Sequence, residues 1–144
     1  MNALLPPCPL NGKSGKVVKL ITLKALLTPQ ALTRLTPVET YHFCSDPECP
    51  VVYYSVLHSF RIDDIKVPVF QKDSDSEVPV CYCFAYSRRA LASSVKEDAG
   101  QIPNVIREHI QANRCGCEVN NPQGSCCLGN VTRLINAACE VQHT

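Results

Sequence analysis

Six of the ten cysteines in this chain fall in three tight pairs, Cys81-Tyr82-Cys83, Cys115-Gly116-Cys117 and Cys126-Cys127. On an extended backbone, residues two apart project to one side about 7 Å from each other, so Cys81 and Cys83 can hold one metal atom between them. They are poorly placed to bond to each other, because a disulfide demands a specific geometry at its two ends. Closing the vicinal pair Cys126-Cys127 would strain the peptide between them. The spacing therefore describes ligands for a cluster of metal atoms, not a disulfide framework. Four thiolates from two such pairs suit a [2Fe–2S] centre, in which each iron takes two cysteines. A separate loop, Cys44-Ser45-Asp46-Pro47-Glu48-Cys49, has zinc-knuckle spacing.

Short elements must position these thiols. Val17-Val18-Lys19-Leu20-Ile21 has the β-branched content of a strand. Thr22 and Thr28 read as successive helix N-caps, the second followed by Pro29 at the first helical position, with helix ending near Leu35. Residues 41–44 and 51–54 read as strands bracketing the knuckle, with further strands at 59–61 and 66–70. Gln71 to Glu77 is polar and charged, as an exposed linker would be. Ser87 caps a helix running to about Asp98 and ended by Gly100. Ile102-Pro103 opens another, with Val105, Ile106, His109 and Ile110 on one face and Asn113-Arg114 closing it. Residues 119–124 form a turn, and Ser125 is placed to cap a final helix. There Val131, Leu134, Ile135 and Ala138 recur at helical spacing and set Cys127 near the buried face. The first-turn N–H groups at Leu128 and Gly129 would point at whatever Cys127 holds, and the helix dipole favours negative charge there. Gly124 and Gly129 would let the backbone approach the sulfides.

The class is α+β. We expect one domain over residues 1–144, a small metal-stabilised fold with short antiparallel strands around a zinc knuckle (1–70), a linker (71–79) and a helical iron–sulfur part (80–140). The N-terminus lacks the basic and apolar regions of a signal peptide, and Lys16, Lys19 and Lys24 interrupt the best apolar run, so membrane insertion is not expected. Cysteine-rich chains of the cytoplasm bind metal or do redox work. The formal charge of +1 turns weakly acidic once thiolate-bound metals are counted, and no basic stripe suits nucleic acid. No cysteine has an evident histidine and carboxylate partner, which disfavours a nucleophilic enzyme. Cys139 and the five tyrosines read as packing, and His58, His109 and His143 as surface or helix-face residues.

The motifs Phe43-Cys44-x4-Cys49-x-Val51-Val52-Tyr53, Val80-Cys81-Tyr82-Cys83-Phe84 and Cys117-Glu118-Val119-x-Asn121-Pro122-x-Gly124-x-Cys126-Cys127 resemble the N-terminal domain of the CopZ family, iron–sulfur- and zinc-containing copper chaperones. Cys8-Pro9, Gly12, Gly15-Lys16-x-Val18 and Thr22-Leu23 fit as well, so the resemblance runs from Cys8 to about Ile135. It implies a [2Fe–2S] cluster on Cys81, Cys83, Cys117 and one of the vicinal pair, taken as Cys127. Cys115 is left outside that set, and Cys126 is a neighbour or alternative ligand; a packed, inert thiol is the competing reading for both. The resemblance implies a zinc site on Cys8, Cys44 and Cys49, but Asn11 stands where the family has a further cysteine. Asp46, His42, Asn11 or water are the candidates for the fourth ligand. The implied chemistry is single-electron reduction of Cu(II) to Cu(I), with copper ions and a copper-transporting ATPase or another metal-resistance protein as partners. The family's second domain, with a Met-x-Cys-x-x-Cys loop, has no counterpart in this sequence, whose one methionine is Met1. A zinc-only interaction module without redox role is the alternative.

Overall fold

A computed structural model describes residues 7–98 and 101–142, with 94–98 and 138–142 described for their backbone alone. The expectations for Gly100 and for the side chains of Ala138, Cys139 and His143 lie outside the described residues. Four short strands, β1 (Lys16–Val18), β2 (Tyr41–Phe43), β3 (Val51–Tyr54) and β4 (Ser59–Arg61), form an antiparallel sheet in that order. β1 pairs Lys16 with Phe43, and β2 pairs Phe43 with Tyr53. All four β3 residues are buried, which a plain two-residue alternation does not explain. The register against β4 shifts between Val51 and Tyr53, and such a bulge resets which face each side chain takes. Val52 and Tyr53 then join the apolar core with Leu23, Leu27, Tyr41 and Phe60, while Val51 and Tyr54 pack against Cys8, Cys44 and Cys49.

Helices α1 (Leu20–Leu26) and α2 (Pro29–Leu32) cover that core. The Thr28 hydroxyl accepts from the Ala31 N–H at 3.2 Å, the cap expected of Thr28-Pro29. Thr22 is not a cap. It lies buried inside α1, whose N-cap is Lys19, and its hydroxyl donates to the Glu118 carbonyl at 2.5 Å. No strand forms over 66–70; Ile65 makes one bridge to Leu27, and Pro68 supplies no N–H for a ladder.

The second layer holds the hairpin β5 (Pro79–Cys81) and β6 (Tyr86–Ser87), followed by α3 (Arg88–Asp98), α4 (Gln101–Gln111), α5 (Cys117–Asn120) and α6 (Leu128–Gln142). Ser87 caps α3 through the Ala90 N–H at 3.1 Å. Asn113, at φ 62°, turns the chain out of α4. Val80, Leu91, Ile106, Val131 and Ile135 form a core with Cys81, Cys117 and Cys127 at its edge. The layers meet where α1 packs on α5 and where the buried Tyr53 hydroxyl donates to the Pro122 carbonyl at 2.5 Å. Among the described residues, no helix is long and apolar enough to cross a membrane.

Candidate metal centres

The first sulfur group is built by two segments, the turn that holds Cys8 and the β2–β3 loop that holds Cys44 and Cys49. Cys8 sits in a tight turn in which its N–H reaches the Lys13 carbonyl at 2.8 Å and Gly12, at φ 74°, donates back to its carbonyl. Cys44 ends β2 and Cys49 leads into β3, so the antiparallel pairing of these strands brings the two ends of the knuckle together. All three thiols are buried, their sulfurs lie within 4.8 Å of one another, and Cys8 and Cys49 are 3.8 Å apart. Burial pushes the Cys44 thiol up, but the Asp46 N–H, the Asn11 amide and the Lys72 charge outweigh it and hold Cys44 below its ordinary value. Burial raises Cys49. Three convergent thiols, one already favouring its thiolate, fit zinc, whose binding expels the remaining protons. Lys72 does a second thing that its place in a charged stretch does not advertise. Its ammonium donates to the carbonyls of Asp46 and Cys49, each at 2.8 Å, and clamps the knuckle.

None of the protein candidates for a fourth ligand joins this group. His42 is buried and stacks on Tyr54 at 5.4 Å between ring centroids. Burial lowers its pKa, and its Nδ1 has no hydrogen-bond partner among the described residues. Both Asp46 carboxylate oxygens are engaged, Oδ1 by the Glu48 N–H and Oδ2 by Asn11 and Lys13. The Asn11 amide points its Nδ2 at the Cys44 sulfur, 3.3 Å away.

The second group gathers sulfurs from the hairpin, the α4–α5 connection and the start of α6. Cys81 closes β5, but Cys83 lies in the following turn, so the turn and not the strand pleat sets their relation. Cys83 and Cys117 are 3.6 Å apart, and Cys81, Cys117 and Cys127 share one buried cluster with Cys83 packed against it. The four thiols predicted as cluster ligands thus lie in one part of the fold. A fifth, Cys115, lies 3.3 Å from Cys117, and the sulfurs of Cys83, Cys115 and Cys117 fall within 4.8 Å of one another. Its spacing from Cys117 was the available signal; the Asn113 turn supplies the approach. The Cys127 thiol draws Cys117 down to about 5 and lowers Cys81, and is itself held in the protonated form between them. Burial pushes Cys115 up to about 12 and raises Cys83. The Gly116 N–H donates to the Cys83 sulfur at 3.2 Å, with the Asn120 amide at 3.6 Å. Such donors stabilise thiolates that bind iron or zinc.

Two expectations at this site fail. Leu128 directs its N–H to the Cys126 sulfur at 3.4 Å, so that donor serves the neighbour of Cys127. Cys126 itself is exposed and lines a cavity of ≈ 460 Å³ with Lys16 and Arg133. Gly124 does not face sulfur either. A side chain at Gly124 would meet Thr22 and Val18, and one at Gly129 would meet nothing within 4 Å. Gly124, at φ 73°, serves the contact between the two layers.

Residues 6–66 match the CopZ family model described as a zinc binding domain. The copper chaperone CopZ of Archaeoglobus fulgidus is 32% identical over 98 residues, which make up 65% of this chain and 45% of the relative, so the chain spans under half of that protein's length. The X-ray structure of the Archaeoglobus fulgidus CopZ N-terminal domain is similar with a TM-score of 0.74 at 26% identity, covering 89% of this chain and 96% of that one. Sequence and fold together make the chain similar to the CopZ N-terminal domain.

Proposed function

We propose that the chain is an iron–sulfur and zinc-binding accessory protein of copper or other metal homeostasis in the cytoplasm. The observation that carries this reading is that Cys81, Cys83, Cys117 and Cys127, from three separate segments, lie in or against one buried cluster, with the Cys83 and Cys117 sulfurs 3.6 Å apart. They fit a [2Fe–2S] cluster by number and by donor type, while Cys8, Cys44 and Cys49 hold zinc. When bound, the cluster supplies one electron at a time, which suits conversion of Cu(II) to the Cu(I) that soft thiolates bind. The chain's own residues keep the thiols together, donate N–H groups to Cys83 and bury Cys81 and Cys127 from solvent. Copper ions, and a copper-transporting ATPase or a metal-resistance protein, are the proposed partners; the role is electron transfer and metal binding, not enzymatic turnover of an organic substrate.

The compact Cys83–Cys115–Cys117 group favours a second reading, in which one zinc atom sits there and the protein is a redox-inert interaction module. Anaerobic purification separates the two. The first reading expects a red-brown protein with about two irons per chain and visible absorption that dithionite bleaches. A colourless, iron-free and zinc-replete protein refutes it. Cys117→Ser should abolish or shift the cluster spectrum and Cys115→Ser should leave it nearly intact; the reverse overturns the ligand assignment.

A further inference from the structure

Zinc in closed structural sites takes four protein ligands, and sites with three keep the fourth position for an exogenous one. Resting on the zinc reading above, we propose that Cys8, Cys44 and Cys49 form a three-thiolate site whose fourth position is exchangeable and accepts a small-molecule thiolate, with Asn11 as a hydrogen-bond donor to Cys44 and not a ligand.

The orientation of Asn11 carries the argument. Its Oδ1 accepts the Lys13 N–H at 2.8 Å, while Nδ2 faces the Cys44 sulfur at 3.3 Å and the Asp46 carboxylate at 3.2 Å. Turning the amide over would set its oxygen against a thiolate and a carboxylate, and its NH₂ against an N–H. Three polar contacts thus lock the nitrogen toward the sulfur, and an amide nitrogen in that role is no zinc ligand. The same lock occupies Asp46, whose oxygens also bind the Glu48 N–H and the Lys13 ammonium. His42 is held in its stack on Tyr54.

A route in is present. A cavity of ≈ 270 Å³ opens against Cys44 and is lined also by Lys13, Ser14, Ser45, Asp46 and Pro47. Two positive charges less three thiolates leave about −1 on the metal group, so a neutral solvent oxygen is the resting fourth ligand. Lys13 in the cavity lining is paired with Asp46, and thiolate sulfur is itself a usual zinc ligand. In the exchange one zinc–oxygen bond breaks, one zinc–sulfur bond forms, and the thiol proton passes to solvent. No change of oxidation state is needed.

Zinc-edge X-ray absorption on the full chain, purified with its metals and carrying one zinc, tests this without interference from iron. The expected first shell is three sulfurs and one light atom. Titration with 2-mercaptoethanol should convert it to four sulfurs in the wild type. Asn11→Cys should show four sulfurs from the start, ignore the thiol, and release zinc to a chromogenic chelator on the order of tenfold more slowly. Asp46→Ala should keep three sulfurs and one light atom and still respond to thiol. A wild-type shell that does not change with thiol, or a thiol response lost in Asp46→Ala, overturns the proposal while leaving zinc binding intact. A chain that takes up no zinc overturns the zinc reading and this proposal with it.

Discussion

Lys72→Met tests whether the knuckle is held from outside. The Lys72 ammonium makes two hydrogen bonds of 2.8 Å, to the carbonyls of Asp46 and Cys49, on either side of the loop that presents Cys44 and Cys49. Hydrogen bonds to a charged donor are worth about 1.5–3 kcal/mol when buried, but Lys72 is half-exposed, so we take about 1–2 kcal/mol for the pair. That corresponds to roughly 5- to 30-fold in zinc affinity, within the range that residues supporting a metal ligand usually command. The pH dependence gives a second signature. Lys72 is one of the groups holding Cys44 below the ordinary thiol value, against the upward pull of burial. Without it the Cys44 pKa rises and zinc must displace more protons. The deficit should therefore widen as pH falls from about 9 toward about 6, and narrow above the range where free thiols ionise. Competition against a chromogenic chelator across that range measures both effects, with Lys72→Arg as a control that keeps the charge. A Lys72→Met protein binding zinc within about twofold of wild type at every pH refutes the clamp.

Gly15→Ala should be among the most damaging small substitutions. A Cβ there would lie 2.1 Å from the Phe43 carbonyl oxygen, which forces β1 off β2 and disturbs the Gly15 N–H bond to the Tyr54 hydroxyl. Overpacking and the lost bond together cost about 2–4 kcal/mol; a thermal melt of the metal-loaded protein showing less than about 0.5 kcal/mol of change contradicts this. Tyr53→Phe leaves the buried Pro122 carbonyl without its donor and should cost about 1–3 kcal/mol in chemical denaturation. Burial holds the Tyr53 hydroxyl above its usual value, so the folded chain keeps a proton that the unfolded chain loses above about pH 10. Its contribution is thus complete below that pH and falls as pH rises, and Tyr53→Phe should flatten the alkaline slope of stability.

The strands at 41–43, 51–54 and 59–61 were legible because short runs with β-branched or aromatic residues stand there between turn signals. Thr28-Pro29 was legible because a cap and a preset φ act locally. Thr22 was misread for the complementary reason. Near a helix start a threonine looks like a cap, whereas its partner here, the Glu118 carbonyl, lies 96 residues away. Gly124 likewise suggested a contact with sulfides, yet its neighbours are Val18 and Thr22 across the layer boundary. Residues 66–70 have the composition of a strand, but their polar groups are taken outside any ladder: the Lys66 N–H by the Leu26 carbonyl, the Val69 carbonyl by the N–H groups of Lys72 and Asp73, and the Phe70 N–H and Pro68 carbonyl by the Tyr82 hydroxyl. The four predicted iron ligands came from the family resemblance, whereas the 3.3 Å approach of Cys115 to Cys117, just after the left-handed turn at Asn113, was not legible in the spacing.

The stretch read as a linker is where the two sulfur groups meet mechanically. Tyr82, the residue between Cys81 and Cys83, is bonded to Pro68 and Phe70. Two residues further on, Lys72 grips the knuckle that carries Cys44 and Cys49. Arg88, at the start of α3, fixes the segment between them by donating to the carbonyls of Phe70, Asp73 and Asp75 and lying 4.3 Å over the Phe70 ring. Residues 68–75 thus make hydrogen bonds to the segments that carry both sets of thiols. The exposed charges of this segment made it look like a tether; its backbone carbonyls, which composition does not show, make it a strut between the two sites.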